Sequence, residues 1–323
     1  MPTSLGRRFL MTDPKVAERF GDPFTTPLEP HCGVIQFDEF LARSHLEQAA
    51  SLVAERPDVQ LYVYGRNWRD LSFLRYFPNL QRLHIALYEL DNIAGFFHLA
   101  GGLRQLTFGE TRKSFSLRFV EVLPRLEELF LVGHKKDLPA LQTLSELNDL
   151  GLSGITLPDL SLLLPFRGLR KLGLFMGSTR NLDLLPRLAA LEELSLMRIT
   201  QLADLGTLGD TTGLKKLKLD WMRNVTSLPS LGRHERLADI ELDQMKGLTD
   251  LSPVAAAPAL RRLAVGDMRH LTPDSFGCFI GHPTLRELLV ETGKLSLDAK
   301  IIELLPGIAR PWSQPVQAQA SQH

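Results

Sequence analysis

Cysteine is nearly absent. The 323 residues include two, Cys32 and Cys278, which cannot make a disulfide framework, so free thiols in a reducing, cytoplasmic setting are expected. Neither sign of charge is in excess: 37 Lys and Arg face 37 Asp and Glu. A dedicated nucleic-acid binder gains affinity by neutralising phosphates with clustered cations, and this balance argues against one. No apolar run approaches the roughly 18 residues that suggest a membrane span.

Catalytic and metal signatures are missing as well. Nine histidines (31, 45, 84, 98, 134, 234, 270, 282 and 323) show neither i, i+4 nor Cys-x-x-Cys metal spacing. "TGKLS" (292–296) lacks the first glycine of a phosphate loop. No G-x-S-x-G or G-x-G-x-x-G occurs, and Cys32 beside His31 is a neighbour in sequence rather than a catalytic pair. No enzyme activity, cofactor or metal is expected. "GRRFLM" (6–11) resembles an export signal, but the charged "TDPKVAERFGD" follows where an apolar segment would be needed. "NVT" (224–226) matches a glycosylation acceptor without a secretion signal to support it.

Against these absences stands one dominant pattern. L-x-x-L-x-L recurs ten times: "LQRLHI" at 80, "LRQLTF" at 103, "LEELFL" at 126, "LNDLGL" at 147, "LRKLGL" at 169, "LEELSL" at 191, "LKKLKL" at 214, "LADIEL" at 237, "LRRLAV" at 260 and "LRELLV" at 285. Successive starts lie 21 to 25 residues apart, and an imperfect eleventh copy, "DVQLYVYG", spans 58–65. Alternating leucines have the period of a strand with one buried face. The intervening residues carry Leu at wider spacing and often Pro, which suits a return by 3₁₀ or short helix. No single unit can bury its own leucines, so the units must stack.

The pattern strongly resembles the leucine-rich repeat family over roughly 58–305. Return segments such as "ITLPDLSLLL" and "VTSLPSLG" resemble the 22-residue subtype of internalin-like bacterial proteins. The resemblance implies an α/β class solenoid: a curved right-handed coil with a parallel sheet on its concave face and 3₁₀ or short helices on its convex face. It departs from the family where an asparagine ladder is usual. Ile155, Ile199, Met222, Met245 and Met268 stand there, so apolar packing is expected to fill that corner. Residues 1–57 are expected to form an N-terminal cap, with a strand over 33–37 and an amphipathic helix over 38–56. Asp38 would cap that helix, with Phe40, Leu41, Ala49, Leu52 and Val53 inward. "SLDAKIIELLP" (296–306) would close the far end, and 306–323 would be a disordered tail.

"LKKLKLDW" (214–221) poses a question of charge, because Lys216 and Lys218 share a strand face. In the family the residue two places after the first Leu points to the concave side. Along the later repeats that position reads Lys171, Glu193, Lys216, Asp239, Arg262, Glu287, with the sign alternating at every step. Adjacent strands lie about 5 Å apart, so these charges should neutralise one another rather than bind phosphate. Glu128 and Asp149, in earlier repeats, are alike and adjacent.

The next positions outward carry the partner-binding expectation. Gly151, Ser153, Gly173 and Ser195 make a low floor, with Phe130, Val132, Phe175, Met176, Met197 and Trp221 standing around it. Apolar side chains of this size in the open are typical of interface cores. Tyr62, Tyr64 and His84 add an aromatic patch, and Asp220, Glu241, Asp243, Asp267 and Glu291 an acidic end. The expected function is a noncatalytic scaffold, monomeric by itself, that binds a protein or peptide on the sheet and engages neither nucleic acid nor membrane. The alternative is a substrate-recognition subunit, or a secreted bacterial effector or adaptor, acting with a separate enzyme.

Overall fold

In the computed structural model the described residues are 17–19, 33–37, 41–66 and 68–308. They divide between Gly177 and Ser178 into two compact units.

The first unit carries eight strands: β1 (Ala17–Arg19), β2 (Val34–Phe37), β3 (Gln60–Tyr64), β4 (Arg82–Ala86), β5 (Gln105–Phe108), β6 (Glu128–Val132), β7 (Asp149–Ser153) and β8 (Lys171–Phe175). The second carries β9 (Glu193–Met197), β10 (Lys216–Asp220), β11 (Asp239–Asp243), β12 (Arg262–Gly266) and β13 (Glu287–Glu291). Within each unit every strand pairs in parallel with the next in sequence. Leucine meets leucine or isoleucine across the ladder, as in Leu129↔Leu150↔Leu172 and Leu194↔Leu217↔Ile240. All six are buried, and each contributes about 1.5–3 kcal/mol by leaving water. From β3 onward the strand spans and the pairing within each unit are those the leucine spacing predicts, whereas β1 is not expected from it.

Short 3₁₀ helices make most of the return segments, among them Ser72–Tyr76, Ala94–Leu99 and Gly206–Asp210. A side chain starts several of them, and also the short α-helical return at Ser252–Ala255. The Oδ1 atoms of Asp70, Asn92, Asp159, Asp204 and Asp250 each accept from the backbone N–H two residues on, at 2.7–2.8 Å. Such local bonds favour a turn over continued strand.

Where an asparagine ladder would run, Ile155, Ile199, Met222, Met245 and Met268 are all buried. Two repeats keep a buried polar group there, Thr111, whose Oγ1 donates to the Lys113 carbonyl, and His134. His134 Nε2 lies 3.0 Å from the Gly109 carbonyl, and the Phe115 N–H donates to its Nδ1 at 3.4 Å. Its ring stacks on Phe108 at 4.1 Å. Burial pushes the imidazole pKa down, so it stays neutral.

Helix α1 runs Arg43–Glu55, later than expected. Ala42, which is extended (φ −60°, ψ 151°), is its N-cap, and no side chain caps it. Leu46, Ala49 and Val53 are its buried residues, whereas Leu41 and Leu52 are only half-buried. Asp38 and Phe40 lie outside the described residues, as does the expected tail beyond residue 308. A four-residue helix α2 (Ser252–Ala255) lies in one return, and α3 (Leu295–Leu304) follows the last strand. Thr292 N–H and Oγ1 both bond Asp298 Oδ1 at the start of α3, at 3.0 and 2.6 Å.

Candidate partner-binding faces

On each strand the residues alternating with the leucines form rows across the neighbouring strands. In the first unit one row reads Tyr62, His84, Thr107, Phe130, Gly151, Gly173. Tyr62 stacks on Tyr64 with centroids 4.9 Å apart and meets His84 at 4.4 Å. Burial among the rings pushes His84 down to about 4 and raises the Tyr62 phenol. The patch is therefore uncharged at neutral pH.

The glycines do not leave the open floor that the sequence suggests. A Cβ on Gly151 would sit 2.3 Å from the Phe130 ring, and one on Gly173 2.3 Å from the Phe175 ring. The two rings fill the trough, with centroids 5.6 Å apart. Phe175 is thereby only 5 % exposed, a correction to the expectation that it stands free for a partner. The missing side chain at Gly173 lets the ring two residues along the same strand fold back. Phe130 and Val132 remain half-buried, and Met176, just past β8, is 44 % exposed.

The second unit builds its face from charge. In the first row Lys216 Nζ lies 3.4 Å from Asp239 and 3.1 Å from Glu241, and Arg262 lies 2.8 Å from Asp239 and 3.4 Å from Glu241. In the second row Lys218 Nζ meets Glu241 at 3.2 Å, the lysine side chain being 6 % exposed. Burial opposes the Glu241 charge, but Lys218 and Lys216 outweigh it and hold the carboxyl below its usual range. Burial also opposes the Lys216 charge, and Glu241 and Asp239 more than offset it. Lys216 and Lys218 are engaged by their neighbours, as the alternating signs predict.

The third row has no cation. It reads Met197, Asp220, Asp243, Gly266, Glu291. Asp220 and Asp243 are 4 % and 3 % exposed. Burial, then the charges of Asp220 and Asp267, push Asp243 up to about 6. Asp220 is raised for the same first reason, with Asp267 and Glu241 adding to it. Trp221, expected to face a partner, is half-buried between its own neighbours: the Arg198 and Arg223 guanidiniums lie 4.8 and 5.0 Å from its ring. Met197 is half-buried at the row's start.

A rim follows the strands, which the leucine pattern does not announce. The residue two places after the last strand leucine has positive φ in successive repeats: Gly133, Gly154, Met176, then Arg198, Trp221, Gln244 and, after Val265, Asp267. Its N–H donates to the neighbouring strand, as from Gly133 to Ser153 O and from Trp221 to Asp243 O. Five of the seven are not glycine, each holding a conformation that disfavours a Cβ by roughly 1–2 kcal/mol.

Among the described residues no group of three or more His, Cys, Asp or Glu is placed to hold a metal ion, and no helix is long and apolar enough to cross a membrane. Cys278 is a free, exposed thiol, and Cys32 lies outside the described residues.

No family model matches the chain, and no curated protein matches it. Among solved structures, an internalin of Listeria monocytogenes is 16% identical, with 80% of this chain and 82% of that one covered and a TM-score of 0.50. Internalin C2 of the same organism is 16% identical over 70% and 84% of the chains, with a TM-score of 0.40. A leucine-rich repeat protein of Leptospira interrogans is 14% identical over 96% and 98%, at 0.46. The first likeness agrees with the pairing described above: the fold is a leucine-rich repeat solenoid of the internalin-like form.

Proposed function

We propose that this chain is a noncatalytic scaffold whose open strand faces bind a protein or peptide. The observation that carries the reading is the partly exposed apolar and aromatic surface on paired strands. Tyr62, Tyr64, His84, Phe130 and Val132 present ring and methyl surface held in place by paired backbone, and Met176 extends it into solvent. Such surface gains free energy when a partner removes it from water, and little entropy is lost in ordering it. On the second unit, Asp243 offers negative charge to the same class of partner, whereas Glu241, expected to do so as well, is taken up by Lys216, Lys218 and Arg262.

The noncatalytic reading rests on the placement of the titratable groups. The carboxyls with raised pKa lie among one another and Lys218 on the strand face, and the displaced imidazoles are held neutral among rings or backbone. A cytoplasmic setting and a bacterial source remain part of the proposal, and the two sparse cysteines support the former.

Capture from native lysate by the full chain, identified by mass spectrometry, supplies the partner. Its affinity is then measured for Tyr62→Ser, Phe130→Ser and Met176→Ser. At least one of the three is expected to weaken binding tenfold or more. Unchanged affinity in all three would remove this face from the interaction.

A further inference from the structure

Asp220 and Asp243 pose a separate problem. They are register partners on adjacent parallel strands, about 4.8 Å apart along the sheet. Asp220 Oδ1 has neither hydrogen-bond partner nor solvent contact among the described residues. Asp243 leans toward the bare backbone of Gly266, where an added Cβ would lie 2.7 Å from its Oδ1. The nearest cation, Lys218, is one row away and bonded to Glu241 at 3.2 Å. Glu241 in turn is shared with Lys216 and Arg262. The structure has satisfied its first two rows internally, whereas the third has only the attraction of Lys218 from the row beside it, which burial and the neighbouring carboxylates outweigh.

Isolated buried carboxylates are unfavourable unless they are protonated or given a cation. We propose that the Asp220–Asp243 site receives one cationic side chain, an arginine or a lysine, from the protein or peptide partner. This deepens the scaffold reading above and rests on it for the source of that side chain. Met197 borders the site on β9, and Asp267 and Glu291 extend the negative potential beyond it, so a cation is drawn toward the strand face before it meets the two buried carboxyls. The charged and titratable groups facing Asp243 are Lys218 and Asp220 on β10, Glu241 on its own strand, and Asp267 beyond β12. Protons and the incoming cation compete for this group, so binding strengthens as pH rises through about 6.

The test needs no identified partner. The full chain, labelled at the aspartate carboxyl carbons, is titrated with Nα-acetyl-arginine methylamide, the lysine equivalent and the uncharged citrulline equivalent while carboxyl resonances are followed. The expected result is a saturable shift of Asp220 and Asp243 with arginine, lysine or both and none with citrulline, together with a fall in the Asp243 pKa. Asp220→Asn and Asp243→Asn, which keep the shape, are expected to weaken the cation at least fivefold while thermal unfolding stays cooperative. Resonances that do not move, or that move equally with citrulline, overturn the proposal. A cation that binds while no protein is captured on the strand faces would instead sink the scaffold reading and leave the site standing.

Discussion

The two units use the same backbone position differently. In the first, the residues between the leucines are rings and glycines, and the rings lie down in the space the glycines leave. In the second, Lys218 and Glu241 stand at that position and close on each other and on Lys216 and Arg262 in the row before, until the third row, where cations run out. An apolar face covers itself by folding its own side chains back. A charged face does so only while the signs alternate. Both leave a remainder: ring edges and Met176 in one unit, a carboxylate pair in the other.

The most severe break is expected at Lys218. Lys218→Ala leaves Glu241, Asp220 and Asp243 without their nearest buried cation and should destabilise by about 3–4 kcal/mol at pH 7 in denaturant unfolding. The loss should shrink toward pH 5 as Asp243 takes up a proton. Equal loss at both pH values would mean that Asp243 does not sense the lysine.

The counterpart in the first unit is Gly151→Val, which drives the Phe130 ring off the strand and should cost about 1–2 kcal/mol. Gly266→Ala, which displaces a carboxylate rather than a ring, should cost less than about 1 kcal/mol, because that group is better solvated once moved. If the two glycines behave alike, the contrast between the faces is wrong.

Asp243→Asn sharpens it with the opposite sign. The carboxyl's pKa is raised in the folded chain, to about 6 from 3.8, so the native state holds more protons than the unfolded one between those values. The contribution of this group to stability therefore falls as pH climbs from about 4 to 6 and stays low above. The asparagine variant should be more stable by about 1–2 kcal/mol at pH 7 and flatter across that window. Effects of similar small size are expected at the rim. Gln244→Gly should stabilise by about 0.5–1 kcal/mol by relieving its positive φ, whereas Gly154→Ala should destabilise by about 1 kcal/mol.

The stacked strands were legible because leucine spacing reports directly on which face is buried. The charge pairing was legible for a related reason: repeats of nearly constant length place Lys216, Asp239 and Arg262 in one row. Phe175 was not, because alternation gives the side a residue leaves the strand but not the rotamer, and its burial depends on Gly173. The late start of α1 was hidden by "DEFLARSHLEQ", whose apolar residues fit a helix in either frame. His134 and the aspartates that start the return helices act through single hydrogen bonds to backbone, which leave no periodic trace. The bare third row could be seen as acidic, but not as buried.

The alternating signs also constrain how such an array can grow or shrink. Excising the one repeat that carries Asp239 and Glu241 would bring Lys216 and Lys218 beside Arg262, three cations with no carboxylate among them. Removing two consecutive repeats restores opposite neighbours at the seam. Copy number in this stretch should therefore change in even steps, with single duplications or losses selected against long before any ligand is consulted.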